Sequence, residues 1–201
     1  MSGIKQPIMI SRIEVLVHPF FTLICNRDSF IGDNKKQVKK KIEALAKQWG
    51  REIQLVASDP SAILVVMPTY KQVPVSNSPN SKLSKWSALQ LKKLLVFAKK
   101  TLGNRLFAFS TFGQLQSLEN AARKKGFVFD KKALRGRAFG EYLDLCVQTA
   151  QEVLCKGLGI GVERIPVSRR LGVEGVHDYF EFKTKPPAKK KRASSSRRRP
   201  V

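Results

Sequence analysis

Apolar residues in this chain alternate between unbroken runs of five or six and stripes spaced three and four apart. Ile13 to Val17 is a short β-branched run ending at His18-Pro19, which reads as a strand. Val38, Ile42, Leu45 and Trp49 then fall on one stripe, which predicts a helix from an N-cap at Asp33 to a stop at Gly50. Ile53 to Ala57 reads as a short strand. Ala62 to Met67 (AILVVM) is a stronger one, apolar on both sides as a buried parallel strand requires. Thr69 to Lys85 has no periodicity and is rich in Ser, Asn and Pro, so it is expected to be either mobile or a binding loop.

A helix is expected from Trp86 to Leu102, with Ala88, Leu91, Leu94, Leu95 and Ala98 on its apolar positions and Gly103 as its stop. Arg105 to Phe109 reads as a strand, Leu115 to Lys125 as a helix closed by Gly126, and Leu134 to Phe139 as a strand broken by Gly136. Leu143, Cys146, Val147, Ala150, Val153 and Leu154 share one face of a helix from Glu141 to about Gly157. Val162 to Pro166 is expected to be the last strand, with Asp178 to Phe182 either an edge strand or a lead into the tail. Strands alternating with helices in this way predict an α/β fold, a three-layer sandwich around a mostly parallel sheet. Residues 1–182 form one such domain, followed by a basic tail at 183–201.

Charge changes the picture at that tail. KTKPPAKKKRASSSRRRPV carries nine cations and no acid, and it holds too little apolar surface to offset the entropy of ordering. It is therefore expected to be disordered and solvated. The whole chain has a formal net charge of +23, of which 29 Lys and Arg against 15 Asp and Glu belong to the body. The body is basic in its own right. A field of that sign favours phosphate polyanions and makes their binding salt-dependent.

Within the body, the helix after Asp33 carries Lys35, Lys36, Lys39, Lys40, Lys41 and Lys47 against Glu43, a one-signed face suited to phosphate contacts. The tail adds two blocks, Lys189, Lys190, Lys191 and Arg192, then Arg197, Arg198 and Arg199, separated by Ser194 to Ser196. Few aromatic residues stand beside these basic stretches, so stacking on single-stranded bases is not expected.

Cys25, Cys146 and Cys155 are an odd number without metal-type spacing, which points to a reducing compartment. The N-terminus has no signal-peptide core and no apolar run is long enough to span a bilayer. The reading is a soluble intracellular protein, cytoplasmic, or nuclear if the source cell has a nucleus, since PPAKKKR would also resemble a nuclear-import signal. With two histidines, His18 and His177, no metal site is expected, and no cofactor motif is present: Gly157 to Gly161 precedes a strand and reads as a helix end.

The segment Gly140-Glu-Tyr-Leu-Asp-Leu-Cys146-Val147 has a strand ending at a glycine and a cysteine on the opening turns of the next helix, where a thiolate is stabilised. Together with Phe109-Ser110-Thr111-Phe112 and the following Leu115 and Leu118, it resembles the isochorismatase-like cysteine hydrolases over residues 105–165. The resemblance implies that Cys146 is a nucleophile. It also implies an aspartate at the end of the first strand and a lysine on a central strand. This chain has Val17-His18-Pro19-Phe20 and Arg105 there instead. His18 would then be the base of a Cys-His pair.

The expected function is that of a non-catalytic nucleic-acid-associated protein, holding RNA or DNA phosphates on the basic face and tail, within a larger ribonucleoprotein assembly in some settings. A cysteine hydrolase acting through Cys146 on an anionic small substrate is the first alternative. A module that binds an acidic protein partner is the second.

Overall fold

A computed structural model describes residues 6–19, 35–68, 81–140, 146–166 and 178–184. In chain order these form β1 (Ile8–Ile10), β2 (Arg12–Val17), α1 (Lys35–Ser58), β3 (Ala62–Met67), α2 (Ser81–Leu102) and β4 (Leu106–Ala108). There follow α3 (Phe112–Leu115), α4 (Leu118–Lys124), β5 (Phe127–Phe129), β6 (Arg135–Gly140), α5 (Gln148–Leu158), β7 (Val162–Pro166) and β8 (Asp178–Thr184).

Six strands make one sheet in the order β4-β3-β2-β6-β8-β7. β4, β3, β2 and β6 run parallel, while β8 is antiparallel to both β6 and β7. β1 and β5 pair in parallel as a separate two-stranded sheet. Alternate residues of the central strands face opposite layers. Leu16, Leu64, Val66 and Phe139 pack under α1 and α2, and Val15, Val17, Val65 and Phe107 pack under α3, α4 and α5. The expected three-layer α/β sandwich with a mostly parallel sheet is the fold observed.

Several boundaries move. The stripe of α1 continues past Gly50 through Ile53 and Val56, both fully buried with Ile42, Leu45 and Trp49. The expected strand Ile53–Ala57 is therefore helix. A mid-helix glycine costs about 1 kcal/mol, which two further buried side chains at i+3 and i+4 spacing outweigh. The Asp33 cap lies outside the described residues. So does most of the expected loop Thr69–Lys85, whose last five residues already belong to α2.

The single helix expected over Leu115–Lys125 is two. Thr111 starts the first with a capping box, its hydroxyl accepting from the Gln114 amide. Gly126 (φ 81°) ends the second. The helix expected from Glu141 is described only from Gln148, and it ends at Gly159 (φ 64°) instead of Gly157.

β8 is an interior strand between β6 and β7, not an edge. It runs to Thr184, with Lys183 paired to Arg135 and to Glu163, so two residues assigned to the tail are strand backbone. Residues 185–201 lie outside the described residues. Among the described residues no helix is long and apolar enough to cross a membrane.

Candidate functional site

The basic face is built by burial. Ile42, Leu45, Trp49, Ile53 and Val56 turn inward, which leaves Lys36, Lys39, Lys40, Lys47 and Arg51 exposed on the other side of α1. Lys35 opens the helix. The adjoining α2 exposes Lys85, Lys92, Lys93, Lys99 and Lys100 and contains no acid. The Lys39 ammonium stands 5.7 Å from the centroid of the Trp86 ring, so the lysine cluster of α1 meets α2 at an aromatic seam.

The two acids of α1 are Glu43 and Glu52. Glu52 is spent on Arg137, whose Nη2 donates to Glu52 Oε2 at 2.5 Å, leaving Glu43 as the one exposed acid among the described residues of these two helices. The first turns of both helices lack acids, and Lys35 and Lys36 open α1 at the positive end of its dipole, with Lys39 and Lys40 one turn on. At about 1.5 Å per residue α1 is roughly 36 Å long, against roughly 20 Å for β3. The N-terminal turns of α1 therefore project past the C-terminal edge of the sheet. Lys189, Lys190, Lys191, Arg192, Arg197, Arg198 and Arg199 lie outside the described residues.

The arginines set on the sheet do different work. Arg137 Nε donates to Glu14 Oε2 at 2.7 Å, and Arg12 Nε to Glu14 Oε1 at 2.7 Å. Arg12 also approaches Asp59 at 3.8 Å. This chain of charges crosses from β2 to β6 and up to α1, with Glu14 wholly buried in the middle. Burial pushes the Glu14 carboxyl up from its ordinary value, while Arg137 and Arg12 pull against it. Burial opposes the charge of Arg137 too, but the facing carboxylates of Glu14 and Glu52 outweigh it and raise its pKa.

Arg105 donates to the carbonyls of Val56 (3.0 Å), Ala57 (2.9 Å), Asp59 and Ala62 (3.2 Å). It thereby satisfies the C-terminal carbonyls of α1 and the turn into β3. Arg105 is thus a helix cap at the N-terminal edge of the sheet, remote from the end where a thiolate would need support. Only a lone acid inside the Ile13–Val17 run hinted at the Glu14 network.

The second candidate lies at the opposite, C-terminal edge. The chain leaves β2 toward α1 on one face and β6 toward α5 on the other, so a topological switch point falls between the ends of β2 and β6. His18 and Gly140 stand there. His18 has left-handed backbone (φ 47°), and its amide donates to the Met67 carbonyl at 3.1 Å. Its buried ring lies 5.7 Å from that of Phe112, and burial pushes its pKa from 6.5 down to about 4, so it is neutral at physiological pH.

A Cβ on Gly140 would fall 2.2 Å from the Val17 carbonyl oxygen, so the close approach of these strand ends requires glycine. Cys146 follows in a single wide turn just before α5, half-buried against the core cluster that also takes Phe112. His18 and Cys146 thus both reach the C-terminal edge on the α3–α5 side. Among the described residues no group of three His, Cys, Asp or Glu is placed to hold a metal ion. No protein-family model matches this chain, and no curated protein or solved structure is significantly similar to it.

Proposed function

We propose that this protein is a non-catalytic nucleic-acid-associated protein that holds RNA or DNA phosphates on the outer face of α1 and on the basic C-terminal tail. One observation carries the reading: Lys36, Lys39, Lys40, Lys47 and Arg51 are exposed together, with Glu43 as the one exposed acid of α1. Lysines placed against the positive end of a helix dipole cost about 0.3–1 kcal/mol each, a cost that a bound phosphate reverses. Contacts of this kind position a polyanion without reading its sequence, and they suit a component of a ribonucleoprotein assembly. A soluble intracellular setting goes with this reading, cytoplasmic or, where there is a nucleus, nuclear through Lys189 to Arg192.

The test is binding to generic RNA and DNA duplexes across salt concentrations. It compares the full chain, a truncation after Thr184 that spares β8, and the triple variant Lys36→Glu, Lys39→Glu, Lys40→Glu. Each lost phosphate contact should lower the log–log salt slope on DNA by about 0.9, so the triple variant should lose between two and three. Salt-insensitive binding, or none at low salt, overturns the proposal.

The placement of His18 and Cys146 at the switch point favours a second reading, an isochorismatase-like hydrolase with Cys146 as nucleophile, His18 as base and an anionic small substrate. It requires selective alkylation of Cys146 at neutral pH. Alkylation no faster than that of Cys155 removes it.

A further inference from the structure

α2 exposes three large apolar side chains among its lysines where α1 exposes one, Leu55, and phosphate binding leaves them unexplained. Val96 is 61% exposed, Leu89 47% and Phe97 37%. Phe97, eleven residues on from Trp86, lies toward α1; on the other side of Val96 a groove of about 300 Å³ is lined by Ala88, Leu91, Lys92, Leu95, Val96 and Lys99.

The helical period places this groove. Trp86, which meets α1, sits on one flank of α2, whereas Ala88, Lys92, Leu95 and Lys99 lie on the other. That far flank overlooks β4, the edge strand, whose Leu106 is only partly buried beneath α2. Among the described residues no third helix continues the layer there. Among the described residues the layer ends with this flank of α2 uncovered.

We propose that this flank docks an acidic amphipathic helix of a protein partner, which takes the place of a third helix in the layer. An apolar stripe seated against Ala88, Leu95 and Val96 would be buried, as in other helix-in-groove contacts. Lys92 and Lys99 stand one heptad apart, about 10.5 Å along the axis, so carboxylates two turns apart on the incoming helix would meet both. Charge selects the partner. Lys92 and Lys99 line the groove and α2 contains no acid, so a second copy docking through the same flank would bring lysine against lysine. This surface is separate from the α1 lysines, and the inference stands without the phosphate reading.

The probe is a fluorescent 21-residue synthetic peptide with a Leu stripe at heptad spacing flanked by Glu. Its control is the same composition scrambled to remove the stripe. Fluorescence anisotropy on the full chain should show the striped peptide binding at least tenfold more tightly than the scrambled one. Val96→Asp should weaken it tenfold or more, as should the pair Lys92→Glu, Lys99→Glu. Lys36→Glu, Lys39→Glu, Lys40→Glu should change it less than twofold.

Val96 is exposed, and unchanged urea midpoints would confirm that the variants fold. Equal binding of the two peptides, no binding, or indifference to Val96→Asp overturns the proposal. So does concentration-dependent dimerisation that Val96→Asp abolishes, which assigns the groove to a second copy. Loss of RNA binding in the Lys92/Lys99 pair with peptide binding intact assigns it to nucleic acid instead.

Discussion

Acid should weaken this fold through one side chain. His18 is buried against Phe112 at the end of β2, and burial lowers its pKa from 6.5 to about 4. Above about pH 6.5 neither the folded nor the unfolded chain carries the proton, and the full stability is present. Between 6.5 and 4 the unfolded chain binds it and the folded chain does not, so stability falls as pH falls. Below 4 both bind it and the loss stops growing. The gap between 6.5 and about 4 sets a ceiling of roughly 3 kcal/mol, of which about 2.5 kcal/mol is lost by pH 4.5. Against a total of about 5–15 kcal/mol that is a large share.

The assay is urea unfolding at pH 7.5 and 4.5 for the natural chain, His18→Asn and His177→Asn, His177 being the other histidine of the sequence. Asparagine tolerates the left-handed backbone (φ 47°) of position 18 and does not titrate. His18→Asn should therefore lose about 2.5 kcal/mol less than the natural chain on acidification, whatever its offset at pH 7.5. His177→Asn measures any contribution of the other histidine, so that the difference seen in His18→Asn is assigned to position 18. Equal losses in His18→Asn and the natural chain would refute the reasoning, because His18 would then titrate alike in both states.

Two further outcomes follow from packing and charge. Glu14→Gln leaves the Arg137 and Arg12 guanidiniums facing an amide inside the sheet–α1 layer and should cost about 3–5 kcal/mol. The double change Glu14→Leu, Arg137→Met should recover a large part of that in urea unfolding, and equal losses would show that the charges are not coupled. Gly140→Ala drives a methyl into the Val17 carbonyl at 2.2 Å and should cost several kcal/mol, read as a fall in Tm of 5 °C or more. A Tm within 1 °C of the natural chain would show that the ends of β2 and β6 separate easily.

Most of the architecture was legible in local pattern. The apolar run AILVVM is a strand buried on both faces, and the stripe Ile42, Leu45, Trp49 is the inner face of α1. The misreadings share a cause. Gly50 is a local breaker, but Ile53 and Val56 find a sheet to pack on and carry the helix past it. Asp178–Thr184 has no local sign of being interior, because its place between β6 and β7 depends on pairing with residues some 40 positions earlier. The roles of individual charges are least visible: Arg105 stands in the sequence where the resemblance implies a lysine, and only the tertiary structure makes it a cap for α1 and makes Arg137 the partner of Glu14.

The sequence by itself determined the class of fold and the sign of the surface. Hydrophobic period sets which face of each element is buried, and the excess of 38 Lys and Arg over 15 Asp and Glu has nowhere to go but outward unless paired. Tertiary structure decided which charges are spent on the fold and which stay exposed. Among the described residues it also left one flank of α2 uncovered and brought His18 and Gly140 to the same sheet edge. These are long-range facts, set by strands and helices meeting across dozens of residues, and no local pattern encodes them.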